Sequence, residues 1–156
     1  MKPLNDFFEG FLDLIYPPYC VVCGKSDDEW LCDKCISDIS YLEPPYCIKC
    51  GIPETKGICN ECKTSDHSFD SAFSAAEYIP PLSDVIHKFK YANHLVLADK
   101  LGSIMVERYS KTGLGSSPDV IITIPSSNTR LLERGFNQAE ELAKVLAPQI
   151  GIEYVP

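Results

Sequence analysis

The sequence predicts a small, metal-stapled domain followed by part of an α/β domain with parallel strands. Three observations lead there. Eight cysteines fall into four Cys-x2-Cys pairs, all within the first 62 residues. Beyond them, helical periodicity alternates with short β-branched runs, the order expected of crossover helices on a parallel sheet. The length of 156 residues leaves room for one ordinary domain, or one small and one partial domain.

Composition narrows the class. Hydrophobic residues make up 45% and charged residues 23%, a globular balance rather than a disordered one. No apolar run reaches the roughly 18 residues that cross a bilayer, so no membrane span is expected. The first sixteen residues, MKPLNDFFEGFLDLIY, carry Asp6, Glu9 and Asp13 and do not read as a signal peptide. Phe7, Phe8, Phe11 and Ile15 fall instead on one side of a helix, so residues 1–16 are expected as an amphipathic helix packed on a neighbouring domain. Without an export signal the expected compartment is the cytoplasm. Thiols stay reduced there, and eight paired cysteines read as metal ligands rather than disulfides.

The formal net charge of −8 is unevenly placed. Residues 1–66 hold twelve acids and six lysines, whereas 67–156 hold ten acids and eight bases. The broad basic footprint of a nucleic-acid binder is missing. All three arginines, Arg108, Arg130 and Arg134, lie in the C-terminal half, where local basic sites remain open.

The cysteine region is an internal repeat with a period of 27. PPYCVVCG (17–24) matches PPYCIKCG (44–51), and LCDKC (31–35) matches ICNEC (58–62). Two cysteines three apart, turning through a glycine that tolerates positive φ, place both sulfurs on one side of a tight knuckle. Two facing knuckles make a four-sulfur cage with zinc–sulfur bonds of about 2.3 Å. Each copy holds a complete ligand set. Sequential sites are therefore expected, Cys20, Cys23, Cys32 and Cys35 on one Zn²⁺ and Cys47, Cys50, Cys59 and Cys62 on the other. A cross-braced arrangement would interleave them. Rubredoxin-like iron suits the same donors, and redox-active thiols are the non-metal alternative. A closed cage leaves no open coordination position, so two structural zinc ions would fold residues 17–66 in place of a large core. Trp30, just before the second knuckle, is expected to cover the cage.

Past the linker KTSDHS, which contains His67, the elements follow in order. FDSAFSAAEY (69–78) alternates like a strand. LSDVIHKFKY (82–91) sets Leu82, Val85, Ile86 and Phe89 at helical spacing, and residues 95–111 do the same with Leu97, Leu101, Ile104 and Met105. His87 and His94 read as surface residues. TGLGSSP is a loop. DVIITIP (119–125) suits a buried strand flanked by helices. SSNTRLLERGFNQ reads as a polar, basic turn, AEELAKVLAPQ (139–149) as a helix with Leu142, Ala143 and Leu146 inward, and IEYVP as the start of another strand. Ligands of such sheets bind beyond the carboxyl ends of the strands. Ser126, Ser127, Asn128 and Thr129, followed by Arg130 and Arg134, could form a phosphate or pyrophosphate cradle there. The alternative is a solvated turn whose arginines pair with Glu133, Glu140 or Glu141.

PPYCxxCG, a second CxxC and then RLLERGFNQAEELA together resemble the ComF family, competence-associated proteins with a zinc-ribbon front end and a type I phosphoribosyltransferase-like domain. The family pattern Pro-Val-Pro-x-x-x-x-Arg-x-x-x-Arg-Gly-Phe-Asn-Gln is matched by Ile124, Pro125, Arg130, Arg134, Gly135, Phe136, Asn137 and Gln138. FKYANHLVLADKLG resembles the stretch ahead of it. Thr123 stands at the pattern's first proline, and Ser126-Ser127 at its usual Leu-His. The resemblance implies a double zinc ribbon over 17–66, then over 67–156 the N-terminal part of a domain built for phosphoribosyl pyrophosphate (PRPP) and Mg²⁺. Arg130 and Arg134 would face the pyrophosphate leaving group. It also implies a role in taking single-stranded DNA through the inner membrane, or a sugar-uptake-linked role in close relatives. A competence helicase is the partner it suggests; the acidic front end does not favour single-stranded DNA. The family's Val-Leu-Leu-Val-Asp-Asp strand with Thr-Thr-Gly is not reached before Pro156, so the α/β domain is expected to be incomplete and inactive by itself.

Overall fold

The computed structural model of the chain describes residues 19–53, 55–92, 94–112 and 118–156. The helix expected over 1–16 lies outside them, as does most of TGLGSSP. The elements run α1 (Asp33–Ser37), α2 (Asn60–Thr64), α3 (Leu82–Tyr91), α4 (Leu97–Thr112), β1 (Val120–Ile121), α5 (Asn128–Arg134), α6 (Gln138–Ile150) and β2 (Glu153–Tyr154).

The helices with clear periodicity form where expected. In α3 the buried side chains are Leu82, Val85 and Phe89, spaced three and four apart. In α4, Leu97, Leu101 and Ile104 are buried and Met105 is half-buried. In α6, Ala143 and Ala147 are buried, with Leu142 and Leu146 half-covered beside them. α4 and α6 pack closely because Gly102 has no side chain. A Cβ there would sit 2.7 Å from Val145 Cβ, which is inside van der Waals contact.

β1 and β2 are parallel, with Val120 opposite Glu153 and Ile121 opposite Tyr154. The Val155 N–H donates to the Ile121 carbonyl at 2.9 Å. α5 and α6 make the crossover between the two strands, as parallel pairing requires.

Three expectations change. The segment 69–78 makes no ladder. It contributes one isolated antiparallel bridge, Ala76 to Tyr41, held by Glu77 N–H to the Ser40 carbonyl (2.9 Å) and Leu42 N–H to the Ala75 carbonyl (3.3 Å). Its small residues bury too little surface to anchor a longer strand. The run DVIITIP is not buried on both faces. Ile122 is 75% and Ile124 85% exposed, since among the described residues β1 has one partner strand. SSNTRLLERGFNQ is not merely a turn, for its middle forms α5. Ser127 starts that helix by accepting a hydrogen bond from the Arg130 N–H at 3.4 Å.

The main buried cluster crosses the sequence boundary between the cysteine region and the helices. Cys20, Leu31, Cys32, Cys35 and Ile39 share it with Val85, Phe89, Leu97 and Leu101. Phe136 packs its ring on Phe89 at 5.6 Å between centroids, which ties the turn after α5 to the same core.

Candidate metal centres

The two cysteine repeats share one pattern of backbone hydrogen bonds in their knuckles. In the first, the Cys20 N–H donates to the Lys25 carbonyl (2.9 Å), Gly24 to Cys20 (2.8 Å) and Val21 to Trp30 (2.9 Å). In the second, Cys47 donates to Ile52 (2.9 Å), Gly51 to Cys47 (2.8 Å) and Ile48 to Gly57 (2.9 Å), each pair displaced by the repeat period. Bridges join Tyr19 to Ser26 and Tyr46 to Pro53. α1 and α2 close the two copies at equivalent positions. Gly24 and Gly51 turn each knuckle at φ 70° and 73°, a left-handed backbone that favours glycine.

These knuckles bring the sulfurs together. Those of Cys20, Cys23, Cys32 and Cys35 all lie within 4.8 Å of one another, and so do those of Cys47, Cys50, Cys59 and Cys62. The grouping is sequential. Cys23 Sγ stands 3.8 Å from Cys32 Sγ, and Cys50 Sγ stands 3.8 Å from Cys59 Sγ. A tetrahedral cage with metal–sulfur bonds of about 2.3 Å has edges of about 3.8 Å. Both sets therefore fit a structural zinc ion.

Backbone donors prepare the sulfurs for that charge. The Cys59 N–H points at Cys47 Sγ (3.3 Å), and the Cys62 N–H at Cys59 Sγ (3.4 Å). Burial pushes the Cys20 and Cys47 thiols up, but these and similar N–H groups outweigh it and bring both down to about 6. Burial and the neighbouring sulfurs push the Cys62 thiol up to about 12, and Cys35 is raised in the same way. Four thiolates cannot share one cage without a cation to neutralise them.

Trp30 is half-buried beside the first cage, its ring tilted against those of Tyr19 (5.7 Å) and His94 (5.4 Å). His94 thus packs in a ring cluster, whereas His87 is exposed beside Tyr91. His67 stacks on Phe69 in the linker.

With this geometry in view, the relatives are informative. Residues 11–64 match the double zinc ribbon domain family. Both four-cysteine sites fall within the matched stretch. The DNA utilization protein YhgH of Salmonella typhimurium is 33% identical over 82 residues, covering 50% of this chain and 36% of the relative. Its namesake in Escherichia coli K12 is 33% identical over 78 residues, or 47% and 34% of the two chains. Competence protein F of Haemophilus influenzae is 31% identical over 88 residues, or 54% and 38%. The chain thus spans little more than a third of the length of the curated relatives it matches. No solved structure gives a significant match. These relatives and the double ribbon bear out the resemblance to the ComF family.

Three of the six polar residues expected to cradle phosphate after β1 take on structural work. The Ser126 hydroxyl donates to Asn137 Oδ1 (3.1 Å), and Ser127 caps α5. Asn137 in turn caps α6 by accepting from the Ala139 N–H (3.2 Å). Arg134 donates to Gln138 Oε1 and to the Tyr91 hydroxyl, both at 3.0 Å, with its guanidinium 4.8 Å from the Tyr91 ring centroid. The acids Glu140 and Glu141 pair with Lys144 instead. Asn128, Thr129 and Arg130 are exposed at the start of α5.

Sequence reasoning passed over Arg108. It is 9% exposed, donates to the Leu42 carbonyl at 2.7 Å and lies 4.5 Å over the Tyr46 ring. Through it α4 grips the entry to the second ribbon. No local pattern announces such a contact across 66 positions.

Proposed function

We propose that this chain acts in the uptake or utilisation of DNA as a ComF-like protein, with two zinc ribbons as scaffold for a phosphoribosyltransferase-related half. The observation that carries this reading is the shared core. One ribbon is built into the same buried cluster as the helices that hold the 134–138 Arg-Gly-Phe-Asn-Gln turn. The metal sites carry no chemistry in this reading, because each cage is closed by four sulfurs. Any PRPP contact would come from Asn128, Thr129 and Arg130, with Arg134 released from Tyr91. Such a half-site offers a few charge-assisted hydrogen bonds and no acidic pair for ribose or Mg²⁺. The expected outcome is no transferase activity from these 156 residues alone. Turnover of PRPP by the purified chain, followed as pyrophosphate release, would sink that statement. Deleting the gene in a naturally transformable host is expected to lower transformation while leaving DNA-independent growth intact.

The second reading, a binding module for a protein such as a helicase, is favoured by the charge around the first cage. A groove of about 610 Å³ beside Cys23 is lined by Asp27, Asp33, Asp38 and Asp84, with Lys25 and Lys34. Four carboxylates there repel a phosphate backbone. Among the described residues no helix is long and apolar enough to cross a membrane.

A further inference from the structure

The repeat supplies a control that a lone domain lacks: two copies of one ribbon, one covered and one bare among the described residues. In the first copy, Leu31 is fully buried and shares a cluster with Leu97 and Leu101 of α4. Val21 packs against the same cluster. Glu29 pairs with Lys100 of α4, and His94, just ahead of that helix, packs its ring at a tilt against Trp30. The cover on this face is thus the N-terminal half of an amphipathic helix.

Move forward by one repeat period and the same face is open. Ile58 stands where Leu31 does and is 39% exposed; Ile48 stands where Val21 does and is 58% exposed. Gly57 replaces Trp30, and a Cβ built on it meets nothing within 4 Å. Lys56 replaces Glu29, so the charge at the rim is inverted. The knuckle backbone hydrogen bonds of the two copies are equivalent, so the second face has the same backbone frame without its helix. Clustered apolar residues left bare on a rigid, metal-held surface mark an interaction site.

We propose that the face of the second ribbon carrying Ile48 and Ile58 docks an amphipathic α-helix of a partner polypeptide, with an acidic residue opposite Lys56. The first ribbon shows the mode: an apolar stripe on the knuckle face, with one ion pair at the rim setting register. The inverted rim charge makes the second face select a different helix from α4. The bare position at Gly57 leaves room for a large apolar side chain of the partner, in the place Trp30 takes in the first copy. The inference goes beyond the DNA-utilisation reading and does not depend on it.

The test uses the full zinc-loaded chain and two labelled peptides spanning residues 95–112, one native and one with Lys100→Glu, read by fluorescence anisotropy. The Lys100→Glu peptide is expected to bind at least tenfold more tightly than the native one. Ile58→Asp and, independently, Ile48→Asp should each weaken it at least tenfold, and Lys56→Glu should reverse the preference between peptides. Two zinc ions per chain in every variant certify that the ribbon is intact. Absence of binding by either peptide, or binding indifferent to Ile58→Asp and Lys56→Glu, overturns the proposal. Light scattering that shows a dimer dissolved by Ile48→Asp also overturns it, because the occupant is then a second copy.

Discussion

The two ribbons share a backbone and differ in almost everything around it. In the first, the cage is part of the principal core. Cys20, Cys32 and Cys35 are buried among Leu31, Ile39, Val85 and Phe89. In the second, the cage projects from the body, joined through Arg108 on Tyr46, the Phe73 ring on Tyr46, and the Ala72 N–H on the Lys49 carbonyl (2.7 Å). The metal set fixes each knuckle locally. What the knuckle then contributes depends on its neighbours, and here one stabilises the helices while the other presents a surface.

The largest expected effect comes from breaking one cage at a time. Structural zinc contributes folding free energy of about 10–16 kcal/mol in ribbon-sized peptides. Cys32→Ser should release the first metal and dissolve the cooperative melting of α3 and α4, because the lost cage lies inside their core. Cys59→Ser should release one metal and leave that melting largely in place. Metal content and thermal unfolding by circular dichroism read both; equal loss of helix melting in the two variants would erase the distinction. Acid acts on both cages in the same direction. Ligation needs four thiolates, and without metal the Cys62 thiol is pushed up to about 12 by burial and adjacent sulfurs. Binding zinc expels such protons, so zinc affinity falls as pH is lowered, and stability that depends on zinc falls with it.

A smaller effect separates equivalent apolar positions. Leu31→Ala removes a fully buried side chain and should cost about 2–5 kcal/mol. Ile58→Ala, one repeat later, removes a partly exposed one and should stay within about 0.5 kcal/mol. Denaturant midpoints measured on the zinc-loaded chains check this, and similar losses would mean that Ile58 is buried in solution.

What could be read from the sequence followed the range of the interaction. The knuckles were legible residue by residue because their geometry is local: two sulfurs, a glycine and a repeat period. α3 was legible to its ends because Leu82, Val85 and Phe89 keep one face. α5 was not, since Asn128, Thr129, Arg130 and Glu133 give it no apolar face and its start rests on the Ser127 cap. Of the strand expected over 119–125 only Val120–Ile121 forms, and burial depends on neighbours, which Ile122 and Ile124 lack on their outer face among the described residues. The residues expected to cradle phosphate begin at Ser126, beyond the end of β1 at Ile121, and run through α5. Their hydrogen bonding was hidden, because Arg134 reaches Tyr91 across 43 positions.

The finest test of the two-ribbon comparison uses the knuckle glycines. Gly24 and Gly51 both sit at positive φ, so replacing either with alanine costs about 1–2 kcal/mol of backbone strain. At Gly24 that is the whole cost, since a Cβ there meets nothing within 4 Å. At Gly51 the Cβ would lie 2.8 Å from the Ala72 carbonyl oxygen, on the backbone of the strap that joins the second ribbon to the body. A carbonyl held by the chain on both sides cannot yield as a flexible side chain would. Gly51→Ala should therefore displace residues 72–73, break the Ala72–Lys49 hydrogen bond and cost about 1 kcal/mol more than Gly24→Ala. Amide hydrogen exchange at Ala72 reads the difference directly: faster in Gly51→Ala, unchanged in Gly24→Ala. Equal exchange in the two variants would mean that the strap does not press on the second knuckle, and that the ribbon is held by Arg108 and the Tyr46–Phe73 contact alone.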